Sequence, residues 1–150
     1  MLAPFEAPVS SGFVRVPEAR LSKAPLIAIV EDDEFVRGSM RRLMRSLGYP
    51  VEAFPSAADF LAFRRLDETA CLIADIQMPG MTGVELYARL IEAGRKIPTI
   101  LVTAYPDEAT RARALKDGIA GYLLKPFDDN DLVVCVRKAV VGSKPPAENS

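Results

Sequence analysis

The chain has 150 residues, with 19 basic against 20 acidic side chains and 49% hydrophobic residues. One folded domain is the expectation at this length, and the balanced charge argues against a generally basic nucleic-acid binder. The sequence holds no histidine, which excludes histidine-based triads, HExxH zinc sites and a phosphohistidine of its own.

Proline punctuates both ends, at Pro4, Pro8, Pro17 and Pro25 and again at Pro145 and Pro146. Neither end has sustained periodicity, so residues 1–24 read as a flexible extension and 143–150 as a tail. Phe5, Phe13 and Val14 are the extension's candidate docking residues. Between these ends, short apolar runs alternate with helical patterns. Leu26 to Val30 reads as a buried strand. Val36, Met40, Leu43, Met44 and Leu47 then recur at helical spacing, and Gly48 is a natural stop. Val51 to Phe54 reads as a second strand, and Ser56 as the N-cap of a helix carrying Phe60, Leu61 and Phe63. Cys71 to Ala74 is a third strand, followed by a helix with Val84, Tyr87, Leu90 and Ile91 that Gly94 closes. Thr99 to Val102 is a fourth strand, and Asp107 to Asp117 a polar helix ended by Gly118. Tyr122 to Leu124 is a fifth strand, and Leu132, Cys135, Val136, Ala139 and Val140 mark the inward face of a last helix. Val133 and Val134 then lie partly outside, as a possible partner surface.

Five strand–helix units with strands apolar throughout predict an α/β fold, a doubly wound five-stranded parallel sheet covered on both faces. In such sheets the chemistry collects at the carboxyl ends of the strands. Glu31, Asp32 and Asp33 follow the first strand, Asp75 the third, Thr103 the fourth and Lys125 the fifth. Crowded carboxylates repel one another, and a hard divalent cation such as Mg²⁺ resolves the conflict with oxygen ligands. Lys125 adds a compact positive charge, and Thr103 a hydroxyl donor. The set suits phosphoryl transfer, with an aspartate as the nucleophile. Asp33 and Glu34 also fit plain helix capping. Any one of these groups alone would be more often structural than functional.

Cys71 and Cys135 sit in apolar runs without a CxxC motif and read as buried small hydrophobes. No stretch is long and apolar enough to span a membrane, and no secretory signal pattern opens the chain, so the cytoplasm is the expected compartment. Nine residues follow Val141, too few for a DNA-binding helix-turn-helix. The expectation is a stand-alone domain or a piece of a longer protein.

The segments IAIVEDDEFVR, CLIADIQMPGMTGVEL, PTILVTAYPDE and GYLLKPF resemble the receiver domain of two-component response regulators, the CheY-like family, with a FixJ-like flavour. The resemblance covers residues 25–142. It implies a flavodoxin-like (βα)5 fold with strand order 2-1-3-4-5. By position it makes Asp75 the phosphoacceptor. Glu31 and Asp32 become the acidic pair, with Asp32 on Mg²⁺ directly and Glu31 through water, and the backbone carbonyl of Gln77 a further ligand. Thr103 and Tyr122 match the signalling pair, and Lys125 the phosphate-binding lysine, with a cis bond to Pro126. The implied partner is a sensor histidine kinase or a histidine phosphotransfer protein. The implied output is a changed surface on the fourth helix, fifth strand and fifth helix, with a homodimer as one outcome. No membrane contact and no direct nucleic-acid contact are implied. Such a domain is a signalling switch rather than an enzyme, catalysing only its own phosphorylation and dephosphorylation. In its resting state Thr103 is expected to lack a strong acceptor and Tyr122 to face solvent. Tyr105 and Pro106 are bulkier than is common after the switch threonine.

Two other readings compete. An aspartate-nucleophile phosphatase needs a second acid two residues after the nucleophile, where this chain has Gln77. A phosphorylation-independent interaction module would not need the intact site.

Overall fold

The computed structural model describes residues 24–142. The extension expected over 1–24 lies outside the described residues except for its last position, and so does the tail over 143–150. The docking expected of Phe5, Phe13 and Val14 falls there too.

Strand β1 (Leu26–Val30) leads into helix α1 (Glu34–Ser46), and β2 (Val51–Phe54) into α2 (Ala57–Leu61). A short 3-10 turn at Leu66–Glu68 precedes β3 (Thr69–Asp75), which leads to α3 (Gly83–Glu92). Then come β4 (Thr99–Thr103), α4 (Glu108–Lys116), β5 (Gly121–Leu124) and α5 (Asp129–Gly142). The five strands form one parallel sheet in the order β2-β1-β3-β4-β5. This is the doubly wound sheet that the alternating pattern predicts, in the flavodoxin-like strand order that the resemblance implies.

Side chains alternate across each strand, so every strand feeds two cores. Ala28, Val30, Leu72, Ala74 and Leu101 face one side, where Phe60 of α2, Leu86 and Leu90 of α3 and Ala114 of α4 cover them. Ile27, Ile29, Cys71, Ile73, Ile100 and Val102 face the other, under Met40 and Met44 of α1 and Leu132, Val136 and Ala139 of α5. Cys71 is buried, and burial pushes its thiol pKa up to about 12. Cys135 is only half-buried, because it stands at the edge of the inward face of α5 where its sulfur approaches Gly121.

Two local expectations are corrected. Helix α2 is capped by Ser56 as anticipated but ends with its C-cap at Ala62, leaving Phe63 outside it. The Phe63 ring still packs beside Phe54, with centroids 5.1 Å apart, so burial placed it at helical spacing without a helix. Strand β3 starts at Thr69 rather than Cys71, because Leu26 of β1 pairs with Thr69 across a register irregularity.

Register sets the height of each strand's end. Val30 pairs with Ala74, Asp75 with Val102, and Thr103 with Leu124. The residues that follow therefore emerge on one edge of the sheet. Backbone bonds carry the ladder past the strands: Glu31 N–H to Phe54 O at 3.0 Å, Ile76 N–H to Val102 O at 2.8 Å and Lys125 N–H to Thr103 O at 2.7 Å.

Candidate functional site

Glu31, Asp32 and Asp75 meet at that edge, each offering one carboxylate oxygen within 4.8 Å of the others. Glu31 and Asp75 are buried, while Asp32 is exposed at the mouth. Lys125 reaches in from the end of β5. Its Nζ lies 2.8 Å from Glu31 Oε1 and 3.3 Å from Asp75 Oδ2. The Lys125–Pro126 peptide is cis.

Charge balance explains the titration behaviour. Burial works against the Lys125 ammonium, but its bonds and attraction to Glu31 and Asp75 outweigh that and hold its pKa above the ordinary lysine value. Burial raises the pKa of Glu31, against the opposing pull of the Lys125 hydrogen bond. Glu31 Oε2 also accepts the backbone N–H of Asp33 at 3.1 Å, so both of its oxygens are occupied. Asp33 itself is a helix cap: its Oδ1 accepts from Phe35 N and Val36 N at 2.9 and 3.0 Å. It stands outside the carboxylate cluster, as the capping reading of the sequence has it.

Asp75 is different. Its Oδ2 faces Lys125, but its Oδ1 is buried with no hydrogen-bond partner among the described residues. An ionised oxygen left so is costly unless something else completes it. With Asp32 and Glu31 alongside, the donor set is all oxygen and suits a hard divalent cation that keeps several waters. The residues present therefore fit Mg²⁺.

Thr103, the last residue of β4, is fully buried. Its hydroxyl does not lack an acceptor, as the sequence reading expected. It donates to Gln77 Oε1 at 2.6 Å and accepts from Tyr105 N–H at 3.0 Å. Gln77 stands two residues after Asp75 in the loop leading to α3, and its long side chain spans back to β4. Tyr122 is also placed otherwise than expected. Its ring is half-buried against the core that includes Leu101 and Ala114, and its hydroxyl is buried with no partner among the described residues. Burial raises its pKa. The apolar area gained by an inward ring favours this pose even without a signal in the site.

Two contributors were not read from the sequence. Arg37, one turn into α1, donates from Nη1 to the Glu31 carbonyl at 2.8 Å and so fixes the loop that carries the acids. The available signal was a cation near a helix N-terminus, where the helix dipole disfavours it. Gly83, the first residue of α3, packs against the Asp75 backbone, a close approach that no local pattern announces.

A doubly wound sheet whose strand ends gather a buried aspartate, further acids, a threonine and a lysine is the arrangement of a receiver-type signalling domain. Residues 27–137 match the family model of the response regulator receiver domain. The chain belongs to that family, the receiver domains of two-component signalling. It is 36% identical over 115 residues to Nodulation protein W of Bradyrhizobium diazoefficiens, covering 77% of this chain and 51% of that protein. It is 35% identical over 118 residues to the response regulator protein TodT of Pseudomonas putida, covering 79% of this chain and 52% of that one. The chain thus spans about half the length of these relatives. The crystal structure of FixJ-N superposes with a TM-score of 0.70 at 32% identity, covering 77% of this chain and 93% of that one. Among the described residues, no helix is long and apolar enough to cross a membrane.

Proposed function

We propose that this domain accepts a phosphoryl group onto Asp75 from the phosphohistidine of a sensor kinase or phosphotransfer protein in the cytoplasm. The observation that carries the reading is the asymmetry of Asp75. One carboxylate oxygen is held by Lys125 at 3.3 Å, and the other is buried without a partner among the described residues. One of the two carboxylate oxygens is the nucleophile, and the other is left to hold the cation. The nucleophile bonds to phosphorus as the P–N bond of the donor breaks, and that electron pair leaves with the imidazole nitrogen.

Asp32 and Asp75 would hold Mg²⁺ directly, Glu31 through water, and the Gln77 carbonyl would complete the protein ligands. The ion supplies charge neutralisation to the transferring phosphoryl oxygens. Lys125 supplies a second positive charge and exchanges part of its bond to Glu31 for one to the phosphoryl group. Thr103 donates to a third oxygen. The same groups serve the slow hydrolysis of the acyl phosphate, so the domain acts catalytically only on itself.

The output face is that of α4, β5 and α5, which exposes Leu115, Leu124 and Val134. Scattered exposed apolar groups are ordinary, but three on adjoining elements suit a homodimer that forms on phosphorylation. Acetyl phosphate with Mg²⁺ is expected to label the wild-type domain, and Asp75→Asn to abolish the label. Stable acyl-phosphate labelling of Asp75→Asn would overturn the assignment.

A further inference from the structure

Thr103 is wholly buried, and its hydroxyl carries a single hydrogen. That hydrogen goes to Gln77 Oε1 at 2.6 Å, a short bond, while the Tyr105 carbonyl at 3.3 Å is a poorer alternative. One of the hydroxyl's two lone pairs is taken by Tyr105 N–H at 3.0 Å. Thr103 therefore has no hydrogen left to donate to a new group at Asp75 without giving up Gln77.

We propose that Gln77 is a latch on Thr103: its side-chain carbonyl oxygen holds the hydroxyl in the resting domain, and a phosphoryl group on Asp75 must break that bond to recruit Thr103. The inference rests on Asp75 being the phosphoacceptor. It makes the Gln77 side chain a positioning residue that sets how far phosphorylation moves the switch. Tyr122 supports this placement of the barrier. Its ring is already half-buried against the core and its hydroxyl buried, so little outward-to-inward swing is left to resist the change. What remains to be rearranged at the end of β4 is the Thr103 hydroxyl. Gln77 is exposed, so its side chain can leave for water when the bond breaks, and little else need move.

A plain structural tie between the β3–α3 loop and β4 predicts something else. Its loss would loosen the loop and weaken phosphoryl binding, or leave it unchanged. A latch predicts tighter binding, because a competing acceptor has been removed.

The test is a titration of the full chain with beryllofluoride and Mg²⁺, followed by NMR of the Thr103 methyl group and hydroxyl proton. It compares wild type, Gln77→Met, Thr103→Val and the double variant. The net worth of one neutral hydrogen bond implies that Gln77→Met binds beryllofluoride about three- to tenfold more tightly than wild type. In the Thr103→Val background the same change is expected to do nothing, since the latched hydroxyl is gone. Before any beryllofluoride is added, the wild-type Thr103 hydroxyl proton is expected to exchange slowly and to shift in Gln77→Met. Unchanged or weaker binding in Gln77→Met, or equal tightening in the Thr103→Val background, overturns the latch. A wild type that binds no beryllofluoride at Asp75 overturns the phosphoacceptor reading instead. The latch bond then stands or falls on the hydroxyl proton signal in the free domain.

Discussion

A β-carbon on Gly83 would stand 2.4 Å from the carbonyl oxygen of Asp75. The first residue of α3 is thus pressed against the backbone of the site's central aspartate, and its N–H donates to the Ile76 carbonyl at 3.1 Å. The neighbour is backbone rather than a flexible side chain, so it cannot swing away. Gly83→Ala is expected to displace the start of α3 or the end of β3 and to destabilise the fold by about 1–3 kcal/mol. It is also expected to slow labelling of Asp75 by acetyl phosphate. Denaturant midpoints and labelling rates check both, and a variant indistinguishable from wild type in each would mean that the loop absorbs the extra carbon freely.

Lys125 is the only cation paired with the buried acids among the described residues. Lys125→Met keeps the stem and removes the charge, leaving Glu31 and Asp75 facing each other in a poorly solvated site. Stranding a buried charge costs on the order of 3 kcal/mol, somewhat less here because the lysine side chain is 19% exposed. Glu31→Gln in the Lys125→Met background is expected to restore part of that loss, since it removes one stranded charge. Urea unfolding of the two variants measures the restoration. A double variant no more stable than Lys125→Met would show that the carboxylates are not what the lysine offsets.

The fold was legible because buried parallel strands leave dense apolar runs. LIAIV and TILV could be placed without any tertiary knowledge, and Gly48, Gly94 and Gly118 each close a helix with positive φ. The list of strand-end residues was legible for the same reason: once strands are placed, the next residue lies on the edge. What could not be read was where the side chains at that edge turn. Thr103 finds Gln77 across 26 positions of sequence, and Tyr122 half-buries its ring against the core with its hydroxyl out of solvent. Phe63 shows the limit of periodicity, since its aromatic burial mimics a helical position beyond the end of α2.

Asp32 is exposed and lies within the carboxylate cluster without being one of its buried members. Asp32→Ala is therefore expected to leave the fold intact, and to raise its stability slightly in metal-free buffer by easing repulsion. Mg²⁺ affinity is expected to fall by tenfold or more, on the order expected when one of very few protein ligands is lost. A calorimetric titration of wild type and variant checks this. Equal affinities would move the cation away from Asp32.

Helix α4 gives the clearest dependence on pH. It follows Thr103 and Tyr105 directly, and Ala114 is its one buried residue, so its end caps matter more than its packing. Asp107 is that N-cap. Its Oδ1 accepts from Ala109 N at 3.1 Å and Thr110 N at 3.3 Å, and its Oδ2 accepts the Thr110 hydroxyl at 2.9 Å. The Thr110 hydroxyl, then the Thr110 and Ala109 amides, favour the ionised form and lower its pKa below the ordinary 3.8. A depressed acid binds its proton less readily in the folded state. Its contribution is therefore present above 3.8 and is lost as pH falls through the lower folded value. Amide hydrogen exchange across Glu108–Arg113, corrected for intrinsic rates, reads the cap. At neutral pH Asp107→Ala is expected to lose protection there, and Asp107→Asn to keep part of it through the retained acceptor. On acidification below 3.8 the wild type is expected to fall toward Asp107→Asn, whose neutral carbonyl acceptor it then resembles, while both variants stay where they were. If the wild type and Asp107→Ala show the same protection at neutral pH, the cap is not what orders the start of α4.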